Sequence, residues 1–349
     1  MIFSTVRPLG WALARKPLVR QLRPVNSTPS TLMDALDLVL NLRGYGWDWA
    51  HGVHVPRETR PSNHTGFILH TIISAATRLF THGILHTAIR SFFPPGLQTM
   101  SSGPLLNENL PFLHRAIMTC FPVRLGDIPG GSIFDESLPC YLRFLRSTII
   151  SAFAFLCVYA GLQAFYDLCT LFGVLALGQD PAQWPPPFDA PWRATSLVDF
   201  WGRRWHQFLR YILLVLGGYP LSFILGRAGI VIGGFFVSAV IHYVHLTGTN
   251  SKSEFWRVLV GFGMMAPGII IEDVFKNITG RKVRGLFGRV WTLVWMFLWG
   301  NVIVEGFARA GIFGYPTPID LVPPVRTSVE YLVTQFDNLL HAVSTVQVA

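Results

Sequence analysis

Charge is scarce in this 349-residue chain. Asp, Glu, Lys and Arg make up 13% of it, about half the roughly 25% of soluble domains. That scarcity excludes an ordinary solvated surface. It also removes nucleic acid as the natural partner of the +9 net charge, because the Lys and Arg residues cluster beside apolar runs, as topology selection and anionic headgroups produce. Cysteine is sparse too. Cys120, Cys140, Cys157 and Cys169 show neither metal-ligand spacing nor a paired framework, so reduced thiols and no metal site are expected. There is no G-x-S-x-G elbow, no H-x-x-x-D motif of soluble acyltransferases and no H-E-x-x-H. Residues 261–266, G-F-G-M-M-A, have dinucleotide-fingerprint spacing but lie in an apolar span with no strand before them, and are not read as one. No internal repeat is visible, which argues against a transporter built on repeats. Met1–Arg23 has no apolar core or small-residue cleavage site, so no removable signal is read and the first spans are expected to act as uncleaved insertion signals.

What is abundant is apolar length. Hydrophobic residues make up 51% and mean hydropathy is +0.42. Thr148–Gly178, Ala228–Thr247, Phe255–Phe275 and Val290–Gly311 reach the roughly 20 apolar residues that cross a bilayer. Phe67–Ile89 is weaker, carrying Arg78 and several histidines. Trp256, Trp291, Trp295 and Trp299 sit at or near span ends, as interfacial aromatics do. The expectation is an all-α, polytopic integral membrane protein. Its organisation is read as a basic segment over residues 1–30, one membrane domain over 31–315 and a tail over 316–349.

Two polar stretches interrupt the spans. Ser91–Arg146 is expected to hold short helices. In Gly178–Arg210 the prolines at 181, 185, 186, 187 and 191 stop helix formation before Thr195. Ser196 and Asp199 then have capping-box spacing and predict a helix through Phe200–Arg210, with Arg203, Gln207 and Arg210 near one side. Tyr211–Gly226 is too short to span and contains Gly217, Gly218 and Pro220, so it reads as a re-entrant segment. Arg193–Arg210, Arg227 and the basic loop Lys276–Arg289 would then share the cytoplasmic face, although Arg115, Arg124, Arg143 and Arg146 fall opposite by the same count.

The candidate chemistry lies in S-L-V-D-F-W-G-R-R-W-H-Q-F-L-R, residues 196–210, and in His242. An isolated intramembrane histidine reads as a core residue; the tandem with His206 turns it into a functional candidate. Ser238, His242 and His245 share one helical face. A neutral imidazole shielded from water suits general-base work, while Arg203, Arg204 and Arg210 suit phosphates; for each arginine alone, a positive-inside residue is the commoner reading. Glu272 can pair with Lys276 at i+4 or shape the site. Glu305 and Asp167 are intramembrane polar groups without an evident partner. Gly229 and Gly233 form a small-xxx-small packing face. The sequons at Asn26, Asn63 and Asn277 are weak signals.

At these residues the chain resembles a family. W-P-P-P-F from Trp184, residues 196–210, and F-F-V-S-A-V-I-H ending at His242 look like the wax synthase-like branch of membrane-bound O-acyltransferases, in particular fungal acetyltransferases of terpenoid and meroterpenoid gene clusters. N-L-R-G-Y-G-W-D-W (41–49) and M-M-A-P-G-I-I-I-E-D (264–273) fit it as well, so the resemblance covers roughly residues 32–310. It implies a helical bundle of the endoplasmic reticulum with an internal reaction tunnel, His242 as the base and His206 at the asparagine-or-histidine position of the family motif. Acetyl-CoA would be the co-substrate, with Arg203, Arg204, Trp205, Gln207 and Arg210 as its candidate contacts. The acceptor would be a lipophilic, hydroxylated small molecule reached through the membrane. The chain departs from the pattern at Tyr243, where small or acidic residues are common, and at its short, basic Met1–Pro29, where relatives carry further spans. The expected reaction is transfer of an acyl group, most simply acetyl, to that hydroxyl. Long-chain wax ester synthesis is the alternative within the class, and a transporter or non-catalytic scaffold the alternative outside it.

Overall fold

The computed structural model describes residues 16–21, 30–41, 43–49, 52–93, 130–249, 253–314 and 317–346. Cys120, Arg115, Arg124, Asn26 and most of the expected N-terminal segment lie outside them. Among the described residues the regular structure is helical, apart from one bridge between Arg20 and Trp47. The principal helices are α1 (Thr31–Leu40), α2 (His64–Ser91), α3 (Cys140–Leu175), α4 (Tyr219–Thr249), α5 (Phe255–Gly263), α6 (Met265–Thr279), α7 (Gly285–Arg309) and α8 (Pro323–Val346). Among the described residues, five apolar helical segments are long enough to cross a membrane: His64–Ser91, Cys140–Leu175, Arg210–Thr247, Phe255–Thr279 and Gly285–Arg309. Each overlaps a run read from the sequence; the third begins at Arg210 and so takes in Tyr211–Gly226, which the sequence reading set apart from the Ala228–Thr247 span.

The chain divides into two compact units. The first comprises Met1–Ser74, Phe165–Ser238 and Gly263–Trp295; the second comprises Ala75–Ala164, Ala239–Phe262 and Met296–Ala349.

In the first unit, the R-G-x-G-W loop is a clamp. Arg43 is buried and donates to the Pro186 carbonyl at 2.8 Å, to the Tyr166 hydroxyl at 2.6 Å and to the Pro185 carbonyl. The Tyr166 hydroxyl in turn donates to Pro185. Prolines supply carbonyls but no N–H, so a proline run is a natural acceptor for a guanidinium fork. Gly44 has φ +68°, and a Cβ there would strike the Trp49 ring at 2.4 Å; only glycine fits. The Trp47 indole donates to Asp37 at 2.6 Å, tying the loop to α1.

The apolar run after Arg210 folds back on itself. Gly226, with φ 56° and ψ −136°, interrupts α4. A Cβ on Gly217 would lie 2.1 Å from the Gly233 carbonyl oxygen, and one on Gly229 would lie 2.3 Å from that of Leu221. These pairs define an antiparallel helical hairpin closed at Gly226, with backbones touching through glycine faces. The re-entrant reading of Tyr211–Gly226 thus meets a chain that turns at Gly226, and the small-residue face of Gly229 and Gly233 packs on its other arm. At about 1.5 Å per residue, that first arm is roughly 24 Å long.

The second unit is built on an apolar core that includes Ile89, Phe92, Ile133, Ile150, Ala154, Val304 and Phe313. Several of its polar groups are paired across long sequence distances. Arg146 donates to Asp337 at 2.7 Å and to the carbonyls of Ile133 and Phe92; Arg90 pairs with Asp320. Glu305 accepts from the Ile133 N–H at 2.8 Å, from Ser132 and from Arg309. The residues read as a tail carry α8, whose Leu340 is buried with Leu138 and Leu142.

Candidate active site

In the first unit the functional segment starts as the sequence predicts and then departs from it. Ser196 is the N-cap, its Oγ accepting from the Asp199 N–H at 2.9 Å. One helical turn, Leu197–Asp199, passes into a π-helical turn, Phe200–Arg204, and Trp205 is already extended at φ −76°, ψ 156°. The predicted helix through Arg210 is therefore corrected: it ends at Arg204, and a new helix begins at Arg210. The cause is competition for carbonyls. The Arg204 carbonyl accepts from the Asp189 N–H at 3.0 Å, and the Gln207 amide reaches back to the carbonyls of Trp201 and Trp205. Arg203, Gln207 and Arg210 consequently share no helical face.

The donor candidates divide. Arg204 is held by Asp199 at 2.6 Å and by the Asp189 carbonyl at 2.9 Å. Trp205 stacks on Phe200, with centroids 5.6 Å apart, and meets Phe188 edge-on. Gln207 is buried against the backbone. Arg203 is exposed. The buried Nε of Arg210 meets no hydrogen-bond partner among the described residues. His206 is half-buried among aromatics, stacked on Phe208 at 5.0 Å and flanked by Phe188 at 5.8 Å and Trp205 at 5.4 Å.

Glu272 holds the start of this segment, in line with the site-shaping one of its two sequence readings rather than the Lys276 pair. Its carboxylate does not turn to Lys276. It is 5% exposed and accepts from the Leu197 N–H at 2.6 Å, the Val198 N–H at 3.1 Å and the Trp291 indole at 2.9 Å. A carboxylate on the free N–H groups of a helix start is favourable both as an acceptor and as a charge. Gly268 supports the approach, since a Cβ there would lie 2.5 Å from Leu197. The signal in the sequence was the cost of a carboxylate within an apolar span. Asp167, another such group, accepts from Ser74 at 2.7 Å. His54, not singled out from the sequence, lies 3.1 Å from Asp189.

In the second unit His242 lies on α4, stacked face to face on Phe262 at 4.2 Å and on Phe307 at 6.2 Å. Ala239, Leu246 and Val258 form the adjoining core. Along the predicted stripe Ser238 is buried, His242 half-buried and His245 exposed, so the face leaves the interior toward the helix end. Tyr243, the departure noted above, packs its ring on Phe255 at 4.9 Å. The ring thus has aromatic and aliphatic side chains among its neighbours.

Residues 184–265 match the model of the Membrane bound O-acyl transferase family. Among curated proteins, an acetyltransferase of Calcarisporium arbuscula is 29% identical over 158 residues, 41% of this chain and 38% of that protein. A long-chain-alcohol O-fatty-acyltransferase of Simmondsia chinensis is 33% identical over 107 residues, 28% of this chain and 30% of that protein. A Fusarium sporotrichioides acetyltransferase is 29% identical over 143 residues, 34% and 32% of the two. The matches with these relatives thus span about a third of their length. With its helical fold, its five apolar helices and the matched stretch running from the proline clamp past His242, the chain resembles the wax synthase-like branch of the membrane-bound O-acyltransferases.

Proposed function

We propose that the protein is a multi-pass enzyme of the endoplasmic reticulum that transfers an acyl group, most simply acetyl, from its CoA thioester to a hydroxyl on a lipophilic terpenoid-like metabolite. The observation that carries this reading is His242, an imidazole stacked between aromatic rings within the residues matched to the family. His242 takes the hydroxyl proton as the oxygen attacks the thioester carbonyl, forming a tetrahedral oxyanion. Collapse of that oxyanion forms the ester and expels the CoA thiolate, to which the imidazolium returns the proton. His206 orients the donor or stabilises the oxyanion by hydrogen bonding. No covalent acyl-enzyme is needed. Arg203 and Arg210 contribute positive charge for the CoA phosphates; Arg204, held by Asp199, contributes mainly to the scaffold.

The test is acetyl transfer from radiolabelled acetyl-CoA to terpene alcohols in microsomes carrying the protein. His242→Ala should lower turnover by about 10²–10⁴-fold, the usual worth of a general base, while the protein still inserts and accumulates. His206→Ala should depress the rate strongly and His206→Asn should retain a measurable fraction, since an amide still donates a hydrogen bond. Near-normal turnover in His242→Ala would remove it from the mechanism. The Simmondsia chinensis relative supports a second reading, esterification of fatty alcohols with long-chain acyl-CoA; profiling the acyl chain accepted separates the two.

A further inference from the structure

Helix α2 carries Arg78, His82, His86 and Arg90 at four-residue spacing, and so on one face. Three of them are engaged. The Arg78 guanidinium lies 5.1 Å over the Tyr159 ring, His82 Nδ1 is 3.0 Å from the Cys157 carbonyl, and Arg90 pairs with Asp320. His86 is different. It is 6% exposed and its ring is hydrogen-bonded to the Ile312 backbone, with His82 at 6.0 Å and Phe313 at 6.1 Å, but its buried Nδ1 meets no hydrogen-bond partner among the described residues. The fully buried hydroxyl of Thr87 and the buried hydroxyl of Ser151 are in the same state. Helices α2 and α3 run antiparallel, with His82 against Cys157 and the Phe92 carbonyl against Arg146. That register sets Ser151 level with Thr87 and Ala88.

Three unsatisfied polar atoms in an apolar core are expensive, and such groups call for a partner beyond the described residues. We propose that His86, Thr87 and Ser151 form the subsite that receives the acceptor alcohol. A hydroxyl both donates and accepts, so it satisfies Nδ1 in either imidazole tautomer and complements the Thr and Ser hydroxyls equally well. An anion is disfavoured there, because Arg90 is neutralised by Asp320. The surrounding Ile89, Ile150, Ala154 and Phe313 suit an apolar skeleton. Phe307 and Ile312 pack both on this core and on the cluster beside His242, so the subsite adjoins the proposed base through shared apolar walls. This inference rests on the acyl-transfer reading for its ligand but not for its test.

The test uses the full chain in nanodiscs, with radiolabelled farnesol and hexadecanol as probes, bound in the absence of acyl-CoA and then used as acceptors. His86→Phe keeps the ring volume and removes Nδ1; it should weaken alcohol binding and raise the alcohol KM about three- to tenfold, the worth of one lost hydrogen bond, with the acetyl-CoA KM unchanged. His86→Asn, whose Oδ1 falls near the position of Nδ1, should restore most of the affinity, and Ser151→Ala should act in the direction of His86→Phe. Equal binding by the wild type, His86→Phe and His86→Asn would overturn the proposal and leave a buried water as the partner. Failure of the wild type to bind either alcohol would also overturn it. Alcohol binding that is lost in His86→Phe and restored in His86→Asn, without any acetyl transfer, would support the subsite and refute only the acyl-transfer reading.

Discussion

Replacing Glu272 should cost far more than its surroundings in sequence suggest. Its carboxylate accepts from the N–H groups of Leu197 and Val198 and from the Trp291 indole, at 2.6, 3.1 and 2.9 Å, in a site that is 5% exposed. Glu272→Ala strands all three donors. At about 1–3 kcal/mol per buried donor left unmade, the lower limit is roughly 3 kcal/mol. With about 2–4 °C per kcal/mol for a large domain, thermal unfolding of the detergent-purified protein should move down by about 6–12 °C. Glu272→Gln keeps one acceptor oxygen and should lose only about a third of that. Lys276→Ala should be nearly silent, because an i,i+4 helix pair is worth about 0.3–0.5 kcal/mol at most. Acetyl transfer should fall in Glu272→Ala even below its unfolding temperature, since Leu197 opens the helical turn that leads into the Trp201–His206 motif. Matching shifts of less than about 2 °C in Glu272→Ala and Lys276→Ala would refute this reasoning.

Two further outcomes follow from the packing. Gly233→Leu should abolish accumulation of folded protein, since its Cβ would lie 2.1 Å from the Gly217 carbonyl oxygen, whereas Gly234→Leu next to it, with no atom within 4 Å of its Cβ position, should be tolerated; immunoblots of membrane fractions compare them, and equal levels would argue against the hairpin. Burial raises the Asp320 carboxyl, but the hydrogen bond from Arg90, the Thr317 N–H and the Arg90 charge more than offset it, leaving the pKa below the ordinary value. The folded pKa lies below the unfolded one, so this stabilisation is complete above about pH 4 and is lost as pH falls through the folded value. The wild type should unfold above Asp320→Asn at pH 5–8, and the gap should close toward pH 3; a gap constant over that range would sink the assignment.

The long helices were legible because hydrocarbon imposes a length and a polarity on each span, and residues such as Thr148 and Phe255 fall within apolar runs that reveal both. The hairpin was legible in part. Gly217 and Gly218 marked a segment unable to cross, and Gly229 and Gly233 marked a packing face, yet nothing local said that the two face each other. The segment at 196–210 was legible at its cap and not at its end, because Asp189 and the Gln207 side chain capture its carbonyls through contacts that periodicity does not encode. For the same reason the sequence left Glu272 open between a pair with Lys276 and a site-shaping role. Lys276 stands one turn away in sequence, whereas its partner Leu197 stands 75 residues away. His206 and His242 stood out as ionisable groups among tryptophans and aliphatics, while His86 was indistinguishable from its neighbours on α2, since a buried Nδ1 left without a partner among the described residues is a property of the packed structure alone.

The Arg43 clamp also sets a timetable. Its Pro186 partner lies 143 residues further along the chain, and at about 5–20 residues per second of synthesis it follows by roughly 7–30 s. In that interval α2 and α3 are made, and Arg43 waits with its guanidinium still hydrated. The loop bearing R-G-x-G-W can therefore close only onto helices already delivered to the membrane, when Trp184–Phe188 emerges and exchanges proline carbonyls for water. A nascent chain halted before Trp184 should display that loop open to proteases, and one halted after Phe188 should begin to protect it.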